Sequence, residues 1–118
     1  MKNKYISHMI FWIDRIDPVL AEPFAQAYAI LKSYWSGSGA DFDEENLREE
    51  LWDSVDGRGG PRIDHDRYKL VTRMILCLAY KDHETIDELR DTGFFEDLLE
   101  KYGFSREEIY ANYQGESI

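Results

Sequence analysis

HDRYKLVTRMILCLAYK, residues 65–81, decides the fold. From Met74 to Tyr80 this stretch is apolar nearly all round. A helix built from it has no face to offer water, so other elements must surround it. Asp64 and Asp66 stand where a short acidic side chain can accept from the free N–H groups of a first helical turn. The spacing predicts a central, buried helix over about 65–81. Leu31, Val71, Ile75, Leu78 and Leu98 are expected to be nearly fully buried around it.

Helical periodicity continues on both sides. Tyr5, Ile6, Met9, Ile10, Ile13 and Ile16 recur at the spacing of one helix face and predict a helix over about 4–16. Asp17-Pro18 is a start signal, because Asp caps and Pro is tolerated at the first helical position. The second helix is expected over about 18–35, with a buried stripe of Leu20, Phe24, Ala27, Tyr28, Leu31, Tyr34 and Trp35. Pro23 falls inside it and is expected to bend or separate its first turn. SGSGA at 36–40 interrupts the pattern. After residue 81, a short helix near 84–91 ends at Gly93, and another carries Phe94, Phe95, Leu98, Leu99 and Tyr102 up to Gly103. Ser105 with Glu108 forms a capping-box pattern that opens a last helix bearing Ile109, Tyr110 and Tyr113. No strand pattern and no internal repeat is seen. The predicted fold class is all-α, one domain of six or seven helices over residues 1–118.

The charge is concentrated. Residues 41–56, DFDEENLREELWDSVD, hold eight carboxylates against Arg48 alone, a net charge of −7 out of −10 for the whole chain. This stretch reads as a helix over about 43–55, with Asp41 and Asp43 as cap candidates. At 3.6 residues per turn, Leu47, Leu51 and Val55 share one face. Glu45, Glu49, Asp53 and Asp56 point the opposite way, and Trp52 sits at the border. The bland reading is a solvated helix surface, which is what most charge runs are. The functional reading is a docking face for a cationic partner, whose association the field would steer. Tyr, Trp and Arg dominate interface energetics, so the candidate partner-binding set is Glu45, Glu49, Trp52, Asp53, Asp56 and Arg58. Arg58 lies in the DGRGGPR loop, residues 56–62, which is not regular structure. A glycine-rich connection is its simplest explanation; a contact role beside the acidic helix is the alternative.

Composition excludes several function classes. At 118 residues with 43% apolar and 14% aromatic content, the chain can bury a core and does not read as disordered. A net charge of −10 argues against nucleic acid, which needs a basic stripe, and against an anionic membrane surface. No run of 18 apolar residues exists to span a bilayer. The N-terminal MKNKYISHMIFWIDRI has a basic start and an apolar centre, but Asp14 and Arg15 end that centre early, so it reads as helix rather than as a signal peptide. A small secreted fold usually pairs its cysteines. The single Cys77, in an apolar run, therefore points to a reducing, cytoplasmic compartment, and a buried thiol of this kind is inert.

Motifs for catalysis and metal binding are weak. GRGGPR lacks the Lys and Ser or Thr that a phosphate-cradling loop needs. DFDEEN lacks the glycine and the downstream bidentate Glu of a calcium loop. His65-Asp66 invites comparison with a metal-phosphohydrolase dyad, with His8, Asp82, His83 and Asp87 as the only further ligands at hand. No HxxxH or HExxH spacing occurs, and in DHDR and KDHE these residues stand at helix starts, where Asp is an ordinary cap. No catalytic residue, metal or cofactor is assigned. Trp12 and Trp35 are expected in the core.

The chain resembles the small, acidic, helical immunity proteins of bacterial toxin systems, including those that neutralise colicins and contact-dependent inhibition toxins. The resemblance rests on overall character: about 120 residues, strong acidity, a helical layout, one unpaired cysteine, and the acid-rich stretch 41–56 before a glycine-rich loop. It implies non-enzymatic, one-to-one capture of a cognate basic toxin domain. It assigns no residue a role. A helical adaptor or regulatory protein with a hydrophobic groove is the second reading, and a small metal-dependent hydrolase the third.

Overall fold

A computed structural model describes residues 4–16, 24–57 and 66–111. Seven helices lie among them: α1 (Lys4–Ile13), α2 (Ala25–Ser36), α3 (Glu44–Asp56), α4 (Arg67–Leu76), α5 (His83–Thr92), α6 (Phe94–Tyr102) and α7 (Arg106–Ala111). The described residues contain no strand. The fold is an all-α bundle.

Local chemistry sets the helix ends. Asp43, Asp66 and Asp82 each hold an extended backbone and accept from the backbone N–H three residues on, at Asn46, Lys69 and Thr85. Each satisfies a donor that the first turn leaves without an intrahelical partner. The capping box at α7 is reciprocal. The Glu108 N–H donates to Ser105 Oγ at 3.1 Å, and the Ser105 N–H donates to Glu108 Oε1 at 3.3 Å. Gly93, at φ 70°, ends α5 and starts α6 in the left-handed region that glycine enters without strain.

Helix α4 is central, packing against α1, α3 and α6. All five residues expected at the core, Leu31, Val71, Ile75, Leu78 and Leu98, are fully buried. The apolar stretch is not helical to its end, however. After Leu76 the chain tightens into a turn in which Leu78 N–H donates to Ile75 O and Ala79 N–H to Leu76 O, both at 2.9 Å. The carbonyls this turn frees are taken by side chains from neighbouring helices. Trp35 Nε1 donates to Leu78 O at 2.9 Å, and Arg48 to Ala79 O at 2.8 Å. Satisfied carbonyls make an early helix end affordable in a buried place.

The second helix departs most from its sequence pattern. Residues 17–23, with Leu20 and Pro23, lie outside the described residues. Of the expected stripe only Leu31 is fully buried, while Phe24, Ala27, Tyr28 and Trp35 pack against the core from its edge. Helix α2 thus lies on the surface of the bundle. It is tied to α1 by Lys32 and the Tyr28 hydroxyl, which reach Asp14 at 3.0 and 2.7 Å. No helix among the described residues is long and apolar enough to cross a membrane.

Candidate functional site

The acidic stretch is a helix, held by its packing, by the Asp43 cap and by the Arg48–Glu44 pair. Leu47, Leu51 and Val55 are its buried face. Several of its charges oppose it. Glu45, Glu49 and Asp53 follow at i,i+4 spacing, where like charges each cost about 0.2–0.5 kcal/mol. Asp53 and Asp56 stand in a last turn without a basic residue, where the helix dipole disfavours acids. Arg48, the one cation of the stretch, is turned inward. It bonds Glu44 at 2.9 Å and the Ala79 carbonyl at 2.8 Å, with its guanidinium 4.6 Å from the Tyr80 ring centre.

On one flank of α3 lies a groove of about 560 Å³. Leu47, Phe42 and Ile30 give it an apolar lining, and Ile30 of α2 is 41% exposed. Asp41, Asp43, Glu49, Glu50 and Asp53 surround it. Two of these five are engaged already. Asp43 is the N-cap of α3, and Asp41 accepts from Lys81 Nζ at 2.6 Å. Lys81 holds the Asp41 carboxyl below the usual carboxylate range. The Lys81 N–H, donating to Glu44 at 2.8 Å, does the same to Glu44. Glu49, Glu50 and Asp53 have no ion-pair partner among the described residues.

The predicted partner-binding set is therefore divided. Glu49 and Asp53 meet in the groove. Glu45 and Asp56 are exposed on the same helix but do not line it. Trp52 faces the opposite flank, where it lines a second cleft, of about 550 Å³, with residues of α4, α5 and α6. Arg58 lies outside the described residues. Glu50 and Ile30, which the periodicity did not single out, complete the groove. Ile30 is off the buried stripe of α2, and the packing of that helix places it at the groove.

In the second cleft the Arg73 guanidinium sits 5.3 Å from the Trp52 ring centre and 5.0 Å from that of Phe94. Burial lowers its pKa. Cys77 lies at the cleft's buried edge, its thiol pushed up to about 12 by desolvation. A thiol so protonated is no nucleophile at neutral pH.

A polar cluster in the core escaped the sequence reading. Glu96 is buried, as are His8 and Tyr5. Its carboxylate lies 2.9 Å from His8 Nε2 and accepts from the Tyr5 hydroxyl at 2.8 Å. The signal was present: Tyr5, His8 and Trp12 fall on one side of α1, so His8 adjoins the apolar arc. Sequence motifs present it only as a metal ligand. Among the described residues no three His, Cys, Asp or Glu side chains are placed to hold a metal ion; His65 lies outside them. Compared with protein-family models, with curated proteins and with solved structures, the chain finds no match.

Proposed function

We propose that this chain is a non-enzymatic immunity or inhibitor protein that neutralises a basic toxin domain by docking the acidic flank of α3 onto it. The observation that carries the proposal is the groove beside α3. Three carboxylates without ion-pair partners among the described residues, Glu49, Glu50 and Asp53, stand around an apolar lining with a half-exposed isoleucine. Free carboxylates speed the encounter with a cationic surface, while apolar contact beside them holds the complex once water is expelled. An arrangement that opposes its own helix, through like-charge spacing and an unfavourable dipole, gains stability when cations arrive.

The test is capture of a partner from the source cell, followed by binding kinetics with Glu49→Gln/Glu50→Gln/Asp53→Asn. These residues point away from the core, so the triple variant should fold. Its association rate should fall, and the remaining rate should depend less on salt. The captured protein should be toxic when expressed alone and harmless with this chain. A partner bound equally well at high salt and by the triple variant would remove the acidic-groove mechanism.

A further inference from the structure

Among the described residues, the cleft on the opposite flank of α3 shares no lining residue with the acidic groove. Its walls are Trp52, Tyr80, Leu89 and Phe94. One cation, Arg73, is fixed between the Trp52 and Phe94 rings and loses hydration there. Two carboxylates, Glu88 of α5 and Asp97 of α6, line the solvent side and are exposed. Neither carboxylate is in an ion pair among the described residues.

These charges sort the ligands. An anion would have to pass Glu88 and Asp97 on a chain of net charge −10 before reaching Arg73. A cation driven deep would meet Arg73. A purely apolar group would fill the walls but leave the rim carboxylates unanswered. An alkyl stem ending in an ammonium fits every feature, with the stem against Trp52 and Leu89 and the charge at the rim. Lysine has this form, a long apolar stem with its charge kept toward water. We infer that the cleft receives a lysine side chain of the same basic partner, so that the partner grips α3 from both flanks. The identity of that partner rests on the function proposed above; the ligand preference of the cleft does not.

The experiment uses two probes of equal chain length and opposite charge, hexylammonium and hexanoate, titrated into the ¹⁵N-labelled full chain. Hexylammonium should shift the amides of Leu89, Thr92 and Phe94 and the Trp52 indole signal, and hexanoate should shift them less. Glu88→Gln/Asp97→Asn should weaken hexylammonium by roughly two- to fivefold per carboxylate, the range of an exposed ion pair, and should leave hexanoate no weaker. Equal binding of the two probes, no change in the double variant, or shifts confined to Glu49–Asp53 would overturn the assignment. The captured partner separates this inference from the function beneath it. Binding lost in the Glu49/Glu50/Asp53 variant but fully kept in Glu88→Gln/Asp97→Asn discards the lysine cleft and leaves the acidic groove standing. Binding weakened by Glu88→Gln/Asp97→Asn but indifferent to the groove variant keeps the cleft and discards the groove.

Discussion

Glu96 is the residue through which the buried polar cluster can be tested. In Glu96→Ala, the Tyr5 hydroxyl loses the acceptor it meets at 2.8 Å and His8 Nε2 the partner it meets at 2.9 Å, both in the buried core. Leaving a buried hydrogen-bonding group without its partner costs about 1–3 kcal/mol per group, and two groups are left here. Relief of the carboxylate's own desolvation offsets part of this, so about 3 kcal/mol is the expected loss. That is a large fraction of the roughly 5–15 kcal/mol that holds an ordinary domain together. Urea denaturation followed by far-ultraviolet circular dichroism measures it, with exposed Glu84→Ala as a control expected within about 0.5 kcal/mol of the parent. Glu96→Gln keeps the shape and one acceptor oxygen and should recover part of the loss. His8→Leu combined with Glu96→Ala should lose less than the sum of the single changes, by roughly 1 kcal/mol or more, because the two groups share one interaction. Glu96→Ala within 1 kcal/mol of the parent, or strict additivity in the double variant, would refute the view that this cluster is a coupled part of the core.

Two further outcomes are expected. Cys77, with its thiol pushed up to about 12 by burial, should react with a disulfide reagent at neutral pH only as fast as the protein opens; labelling at the rate of a free thiol would mean the cleft exposes the sulfur. Asp41, Glu44 and Asp82 are held below the usual carboxylate range, by Lys81, by the Lys81 N–H and by Thr85 respectively. A depressed native carboxyl contributes stability that is complete above its unfolded pKa, about 4, and is lost as pH falls through the lower native value. Carboxyl ¹³C titration should therefore place all three below their unfolded references, and ordinary values would contradict these contacts.

What could be read from the chain follows from which forces are local. Caps at Asp43, Asp66 and Asp82 and the Ser105–Glu108 box involve residues three apart, so sequence contains the whole interaction. The buried face of α3 and the burial of α4 follow from apolar spacing alone. Where α4 ends was not legible, because the carbonyls of the turn that follows it, Leu78 and Ala79, are satisfied by Trp35 and Arg48, 43 and 31 residues away. Only the fold brings those donors there. Ile30 and the reduced burial of α2 were hidden for the same kind of reason. An apolar stripe says that a helix packs on something, not how far in it sits. Glu96 is a sharper case: a glutamate near a helix start reads as a dipole partner, and its burial depends on two residues about 90 positions earlier in the chain.

The division of α3 carries a kinetic consequence. Glu49, Glu50 and Asp53 act at a distance, over a Debye length of about 8 Å at physiological salt, and so belong to the encounter. Trp52 acts only on contact, and it is already half of a structural pair with Arg73. Its truncation would release a desolvated guanidinium as well as an interface ring, so an effect on binding means nothing until folding has been measured beside it. The carboxylates have no such second role, since no neighbour among the described residues pairs with them. A helix that places its charges on one flank and its aromatic ring on the other can have each altered separately. Association rate should follow the groove and dissociation rate the cleft. Helix α3 has room for both because its inward face needs only three residues, Leu47, Leu51 and Val55, to hold it on α4.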